Sequence, residues 1–456
     1  MLSENRQRSP LPKLIAICGL LLLFLLVVNA MRVIEKRREP DTTHKIRVRE
    51  SNTQTFSSPR PNIAESKEKK INSVRRKENL TTKRSPDGFQ LYRYWWRGGA
   101  AVYVAEMDRN AEDLKFDVEL ANGQILRRET VSSATRRLKR KGIESIAGVN
   151  GSFGIREDNW GRGGMIFNLH IQNGELVSIP KLINRWGYSP PTPWGETSFG
   201  VTPDGEFLLE AVKLNGNLHI GNDTLQIDAI NQICDIYCPV VIFTPRFGRS
   251  TLTRRCYEFT LKNLTLPITG KYKSKLVVTS VNPRGNSIIP SDGIVLAIEP
   301  RLARSWYRKI TEFTKGELEI ALTPKKWQTV NEGIGGNLRL LRDGRIEPEL
   351  TQFNRSRGGS AIGHHNGAQR HPRSALGFND EKLFLIVVDG RQHGYSMGMT
   401  LYEMADFFND IGVKNAINFD GGSSSALWTL GEIVNSPAHG YERPIFNVAV
   451  IRKKNE

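Results

Sequence analysis

From Phe89 onward, this 456-residue chain is written in short apolar runs that alternate with polar residues and stop at turn signals. QLYRYWWRGGAAVYVAEMD and LKFDVELANG set the pattern. A period of two sends successive side chains to opposite faces of a pleated strand, so these runs read as half-buried strands. Further strands are expected at 208–212, 240–244, 275–281, 293–298, 318–322, 383–388 and 446–451. Helical spacing is confined to 131–141, a turn or two near 327–333, and 400–411. The 41 glycines supply turns for such a fold. With 39% hydrophobic and 25% charged residues the chain can bury a core, which excludes collagen-like, wholly disordered and polytopic membrane classes. The expected architecture is α+β: a single large strand-rich domain over residues 87–456, with mixed sheets and few helices, preceded by an N-terminal membrane segment.

That segment is residues 1–31. Its Leu14–Val28 run (LIAICGLLLLFLLVV) carries no charge and follows Arg6, Arg8 and Lys13. The length falls between a signal-peptide core and a minimal spanning helix of about 17 residues, so two readings stand: cleavage after Ala30, or retention as a single anchor. Residues 32–86 are polar and basic with almost no aromatics, the composition of a disordered linker. The net charge of +18 points at first to a nucleic-acid partner. Residues 1–86, however, hold 19 Lys and Arg against 8 Asp and Glu, leaving +7 for the other 370 residues. The excess charge lies in the tail and not on a binding face, so no nucleic-acid partner is expected. The basic residues Arg32 to Arg47 would by count alone keep the domain in the cytoplasm. The C-x3-C pair Cys234 and Cys238, with Cys256, lacks the His partners of a zinc site. Outside the cytosol one disulfide is open to these three, with Cys256 as a partner of either of the others.

Several stretches carry chemistry. In Ile417–Ser425 (INFDGGSSS) an apolar lead-in delivers Asp420, then Gly421 and Gly422, then Ser423, Ser424 and Ser425. Paired glycines let backbone N–H groups converge on an anion, and the serines add donors. Taken alone, the stretch is equally a tight turn after a strand. The Leu383–Val388 run ends in Asp389-Gly390-Arg391, an acid with a guanidinium two residues on, which reads as a proton-handling pair or as a structural ion pair. Thr400 and Glu403 form a capping box, a sufficient structural role; with Ser396 and Gly398 ahead of them, the helix N-terminus is also a candidate anion site. Asn150 ends an apolar strand in a formal Asn-x-Ser sequon that reads as buried, while Arg373, Asn435 and Arg443 add guanidinium and amide groups. His364 and His365 are adjacent, which turns them apart on a strand and argues against a metal pair.

Together these stretches resemble the phosphodiester glycosidase family. The resemblance rests on order and spacing over roughly residues 90–452: Asn150–Phe153, Thr244–Thr251, Ile289–Gly293, Gly335–Leu338, Arg373–Gly377, Val388–Arg391, Ser396–Ala405, Asn418–Ser425, Asn435–Pro437 and Arg443–Asn447. Three departures stand out: Ser374 where Thr is usual, Phe419 for Leu, and Ser423 for a third Gly. The resemblance implies a hydrolase that cleaves sugar-1-phosphodiesters of the N-acetylglucosamine-1-phosphodiester kind in glycans or cell-surface polymers. Because phosphate is a good leaving group, the chemistry calls for cations on the phosphate and a carboxylate for water or the oxocarbenium-like carbon. By this resemblance Asp389, Asp420 and Arg391 are the catalytic candidates. Asn150, Arg373, Ser396, Thr400, Asn418, Gly421, Gly422, Ser423, Ser424, Asn435 and Arg443 are the substrate-binding ones. No resident metal or cofactor is implied, although the two Asp residues have the chemistry to hold a divalent cation. The expected partners are a carbohydrate phosphodiester and, through the N-terminal segment, a membrane. Such substrates place the domain outside the cytoplasm, secreted or membrane-anchored, against the charge count. Two alternatives stand beside this reading: a non-catalytic polysaccharide-biosynthesis or glycan-binding protein on the same fold, and a phosphodiesterase or nuclease using the basic surface.

Overall fold

The structure is a computed structural model that describes residues 74–157, 159, 161–181, 197–350 and 367–454, all within one unit spanning Lys70–Glu456. The apolar run 14–28, most of the basic linker, and His364 and His365 lie outside the described residues. Among the described residues no helix is long and apolar enough to cross a membrane. The expected linker ends earlier than 86: Val74–Asn79 pairs antiparallel with Phe89–Trp96 as an edge strand. Its charged residues Arg75, Arg76, Lys77 and Glu78 suit an edge that faces water.

Four sheets and three α-helices make up the described fold. One eight-stranded sheet runs Val74–Asn79, Phe89–Trp96, Ala100–Asp108, Lys382–Val388, Arg373–Phe378, Asn415–Asn418, Arg339–Arg342 and Arg345–Ile346, and its pairings are antiparallel. The second eight-stranded sheet spans strands between Lys213 and Thr323 and carries one parallel pair, Ala229–Ile230 against Val240–Phe243. Two five-stranded sheets complete the fold. The strands expected near 275–281 and 318–322 run longer, as Lys271–Asn282 and Lys315–Thr323, because they pair with each other along their length. Helix Pro300–Trp306 was not legible in the apolar spacing; it starts with proline at its first position under a Glu299 cap. Near 327 there is a short 3₁₀ turn, Lys325–Thr329, and Glu332–Gly335 is strand.

The Lys382–Val388 strand shows how period two builds the layers. Leu383, Leu385 and Val387 face a core with Val149, Leu427 and Ala449 of a five-stranded sheet. Phe384, Ile386 and Val388 face the opposite core, with Met404, Phe407 and Phe408 of helix Leu401–Asp410. A strand buried on both sides reads as a continuous apolar run, as this one does. Each fully buried side chain of this size contributes about 1.5–3 kcal/mol, which holds the strand end where the candidate acid emerges.

Candidate active site

Register brings the distant motifs together. Arg373 pairs with Val388, and Ala375 pairs with Asn418, so one end of the sheet carries the start of Arg373–Phe378 and the ends of Lys382–Val388 and Asn415–Asn418. Asp389 and Asp420 leave the sheet at this same end, on either side of the Arg373–Phe378 strand. The loops then interlock: the N–H of Gly422 donates to the Pro372 carbonyl at 2.8 Å, and that of His371 to the Met399 carbonyl at 3.2 Å.

The two acids have different surroundings. Asp389 is buried, and its carboxylate is fully engaged. Asn435 Nδ2 donates to Oδ1 at 2.8 Å, the Tyr395 hydroxyl donates to Oδ2 at 3.1 Å, and the Ser436 N–H reaches both oxygens at 3.1 and 2.9 Å. Burial nevertheless lifts its pKa to about 6 against these donors. Of the two catalytic candidate acids, Asp389 is thus the one whose oxygens both tie down the 435–436 turn. Asp420 keeps 18% of its side chain exposed. Ser424 Oγ donates to its Oδ2 at 2.6 Å, and Arg443 Nη2 lies 3.5 Å from the same oxygen while also donating to Ser424 Oγ. Burial raises the Asp420 pKa, and the Ser424 hydrogen bond and the charges of Arg443 and Arg156 oppose the rise.

A third guanidinium, Arg391, borders the glycine loop that follows Asp420. Arg391 takes a left-handed backbone, φ +60°, a conformation that costs a non-glycine residue energy and clusters at functional sites. The turn is held by Gln392, whose side chain donates to the Ser436 carbonyl at 2.7 Å and accepts from Ser436 Oγ at 2.8 Å. Arg391 is exposed; its Nε donates to His371 Nδ1 at 3.2 Å, and its Nη atoms carry no hydrogen bond among the described residues. A Cβ on Gly422 would stand 3.1 Å from Arg391 Nη2, and Gly422 itself sits at φ +64°, a backbone conformation that favours glycine. His371 is held neutral, its pKa lowered to about 4 by burial and by Arg373 and Arg391. Arg443 Nε is buried and without a hydrogen-bond partner among the described residues, as are Asn418 Oδ1 and Ser425 Oγ.

Several predicted binding residues turn out to build the site from behind. Asn150 is wholly buried: its Nδ2 donates to the Asp420 carbonyl at 2.6 Å, and its Oδ1 accepts from Ser374 Oγ at 2.7 Å and Ala426 N at 3.2 Å. The sequon is therefore buried, as expected, and Ser374 keeps the hydroxyl this bond needs. Buried Ser396 donates to the Asp389 carbonyl at 2.6 Å and accepts from Ala101 N at 3.1 Å. Thr400 forms the capping box with Glu403, and Leu401 N donates to the Gly367 carbonyl, so the N–H groups of Thr400, Leu401 and Glu403 are taken within the fold. Arg373 is buried and donates to the Met399 and Gln369 carbonyls. Gly421 has no room for a Cβ, which would meet the Pro372 carbonyl at 2.8 Å; with the Gly422 N–H on that carbonyl, the glycine pair packs two loops and is not an open N–H cradle. Asn435 accepts from Leu427 N at 2.8 Å and donates to Asp389. What remains facing outward is Asp420, Arg391, Arg443 and Ser423. The sequence reading missed Arg156, His371, Tyr395 and Ser436; for His371 and Ser436 the available signal was their nearness to Arg373 and Asn435.

Cys234, Cys238 and Cys256 are free thiols in the structure, so the disulfide left open to them does not form here. Cys234 lines a separate cavity of about 460 Å³ with Phe247 and Arg255, away from Asp420 and Asp389. Among the described residues no group of three or more His, Cys, Asp or Glu side chains comes together as a metal site.

With this geometry in place, sequence comparison adds a family match over part of the chain. Residues 270–452 match the phosphodiester glycosidase family. The resemblance read from the motifs is thereby shown, and the matched stretch carries Arg373, Asp389, Arg391, Asp420 and Arg443. The SPbeta prophage-derived uncharacterized protein YomE of Bacillus subtilis is 39% identical over 83 residues, 18% of this chain and 13% of that protein's length. Among solved structures, a hypothetical protein from Synechocystis aligns with a TM-score of 0.64 at 17% identity, over 80% of this chain and 62% of that one. A Burkholderia pseudomallei protein described as exported aligns with a TM-score of 0.59 at 18% identity, over 77% and 74%. These two likenesses establish the fold. The zebrafish N-acetylglucosamine-1-phosphodiester α-N-acetylglucosaminidase catalytic domain, auto-inhibited by its pro-peptide, overlaps at a TM-score of 0.39 and 15% identity, covering 85% of this chain and 86% of that domain. That overlap is too low to add to the fold assignment.

Proposed function

We propose that the domain hydrolyses a sugar-1-phosphodiester, of the N-acetylglucosamine-1-phosphodiester kind, in a glycan or cell-surface polymer on the extracytoplasmic side of a membrane. The observation that carries this reading is the partly exposed Asp420 carboxylate, bonded to Ser424, beside Arg443 and within the field of Arg156. Exposed Arg391 stands over the adjoining Gly422. Arg391 and Arg443 hold the phosphate oxygens and offset the charge that grows on the leaving group. Asp420 takes a proton from the attacking water as its oxygen bonds the anomeric carbon, or faces the oxocarbenium-like carbon directly. The bond from that carbon to the phosphate oxygen breaks, and its electron pair leaves with the phosphomonoester. One carboxylate suffices because phosphate departs without strong acid help, which suits a site whose second acid, Asp389, is packed away. Asp420 must be ionised for this role, and its raised pKa puts the acid limb of the rate above the ordinary 3.8 of an aspartate.

Incubating the full chain with UDP-N-acetylglucosamine and simple sugar-1-phosphodiesters in ¹⁸O water tests the proposal. Free sugar carrying the label supports it; label in the phosphate makes the protein a phosphodiesterase. Absence of turnover with retained binding favours a glycan-binding role on the same fold.

A further inference from the structure

The loop between Asn435 and Arg443 is pinned at both ends. At its start Asn435 and Ser436 bond the Asp389 carboxylate. At its end the Glu442 carboxylate accepts from Ser132 N at 3.0 Å, and Arg443 reaches Ser424 and Asp420. A turn closes between the pins, with Gly440 N donating to the Pro437 carbonyl at 2.8 Å. This arrangement presents His439 and Tyr441. Their rings stack with centroids 6.0 Å apart and planes 29° from parallel, and Tyr441 is 65% exposed. The imidazole is set by Ser423, whose Oγ lies 2.7 Å from His439 Nε2. Ser423 is one residue from Ser424, the residue on Asp420, and it is the serine that stands where the family pattern has a third glycine. The departure therefore has a use: it fastens an exposed aromatic pair to the rim of the phosphate-binding cluster.

From this placement we infer that His439 and Tyr441 form the platform for the sugar ring whose anomeric phosphate lies on Arg391 and Arg443. A pyranose has an apolar C–H face and a polar rim. An aromatic plane beside a cationic pocket meets both, whereas a bare phosphate gains nothing from it. The inference rests on the proposed phosphodiester reading and adds the group that selects a sugar over other phosphate esters.

The test uses full-length protein carrying Asp420→Asn, so that ligand is not consumed, and titration calorimetry with N-acetylglucosamine-1-phosphate and with inorganic phosphate. The parent is expected to bind the sugar phosphate more tightly. Adding Tyr441→Ala should cut the sugar-phosphate affinity about five- to tenfold, the size of one aromatic contact, while inorganic phosphate binding stays the same. Tyr441→Phe, which keeps the ring, should restore the margin. Ser423→Gly, which releases His439, should lose about threefold of it. A margin unchanged by Tyr441→Ala, or equal affinities for the two ligands in the parent, overturns the platform and leaves the phosphate site standing. If the parent binds neither ligand, the phosphodiester reading fails and the platform fails with it.

Discussion

Asp389 and Asp420 begin alike and end differently. Each follows a buried strand, each precedes a glycine, and both emerge at the same end of one sheet. Yet Asp389 is buried under Asn435, Ser436 and Tyr395, while Asp420 keeps part of its side chain open beside Arg443. The difference comes from what crosses over each carboxylate. The 435–436 turn closes over Asp389 and satisfies its oxygens with neutral donors. Beside Asp420 stands the Arg443 guanidinium, with the charge of Arg156 acting on the same carboxylate. A carboxylate bonded on all sides by the fold positions a loop, and one left with charged neighbours and an opening is available for chemistry.

Exchanging the two roles by mutation is the sharpest way to break this comparison. Asp420→Asn should lower turnover of a sugar-1-phosphodiester about 10³-fold while the melting temperature of the folded chain barely moves. A variant retaining more than a tenth of the activity would remove Asp420 from the mechanism. Asp389→Ala should act the other way, costing about 2–4 kcal/mol in a denaturant titration because Asn435 Nδ2 and Ser436 N lose a buried acceptor. The pH dependence of stability carries the same signature. The folded pKa of Asp389, about 6, lies above its ordinary 3.8, so its contribution is fully present below pH 3.8 and is lost as pH rises through 6. That loss amounts to about 3 kcal/mol at most, and Asp389→Asn should flatten this part of the melting profile; an unaltered profile would show that Asp389 does not titrate there.

Arg391→Ala tests the open side and should reduce kcat/KM about 10²-fold with stability within about 0.5 kcal/mol of the parent, since the residue is exposed and strained. Equal turnover would shift the phosphate to Arg443 alone. The smallest effect belongs to Thr400→Ala, expected to cost about 1 kcal/mol of stability through the lost cap and nothing in substrate affinity. A changed KM there would return Thr400 to the binding surface from which its capping bonds remove it.

The strand-rich character was legible because alternation is a local property. Lys382–Val388, Ile294–Ile298 and Leu401–Asp410 lie within one residue of where their apolar spacing puts them. The strand at Val74–Asn79 was not, because an edge strand needs no apolar face and a charged stretch conceals it. The site was half legible. Asp420, Arg391 and Arg443 stand among the residues that the motifs single out. The same motifs single out Asn150, Ser396, Thr400 and Asn435, whose polar groups make internal hydrogen bonds in the fold. His439 and Tyr441 had no local signal, since an exposed aromatic in a polar loop acquires meaning only from its neighbours.

What the order of residues settled was which segments become strands, where each apolar run stops, and which acids and guanidinium groups stand at those stops, because periodicity and turn chemistry act over a few residues. What folding alone settled was which of two similar aspartates is sealed and which is open. Hydrogen-bond satisfaction and desolvation depend on groups brought from positions as distant as Asn150 and Asn435, and no local pattern specifies that meeting.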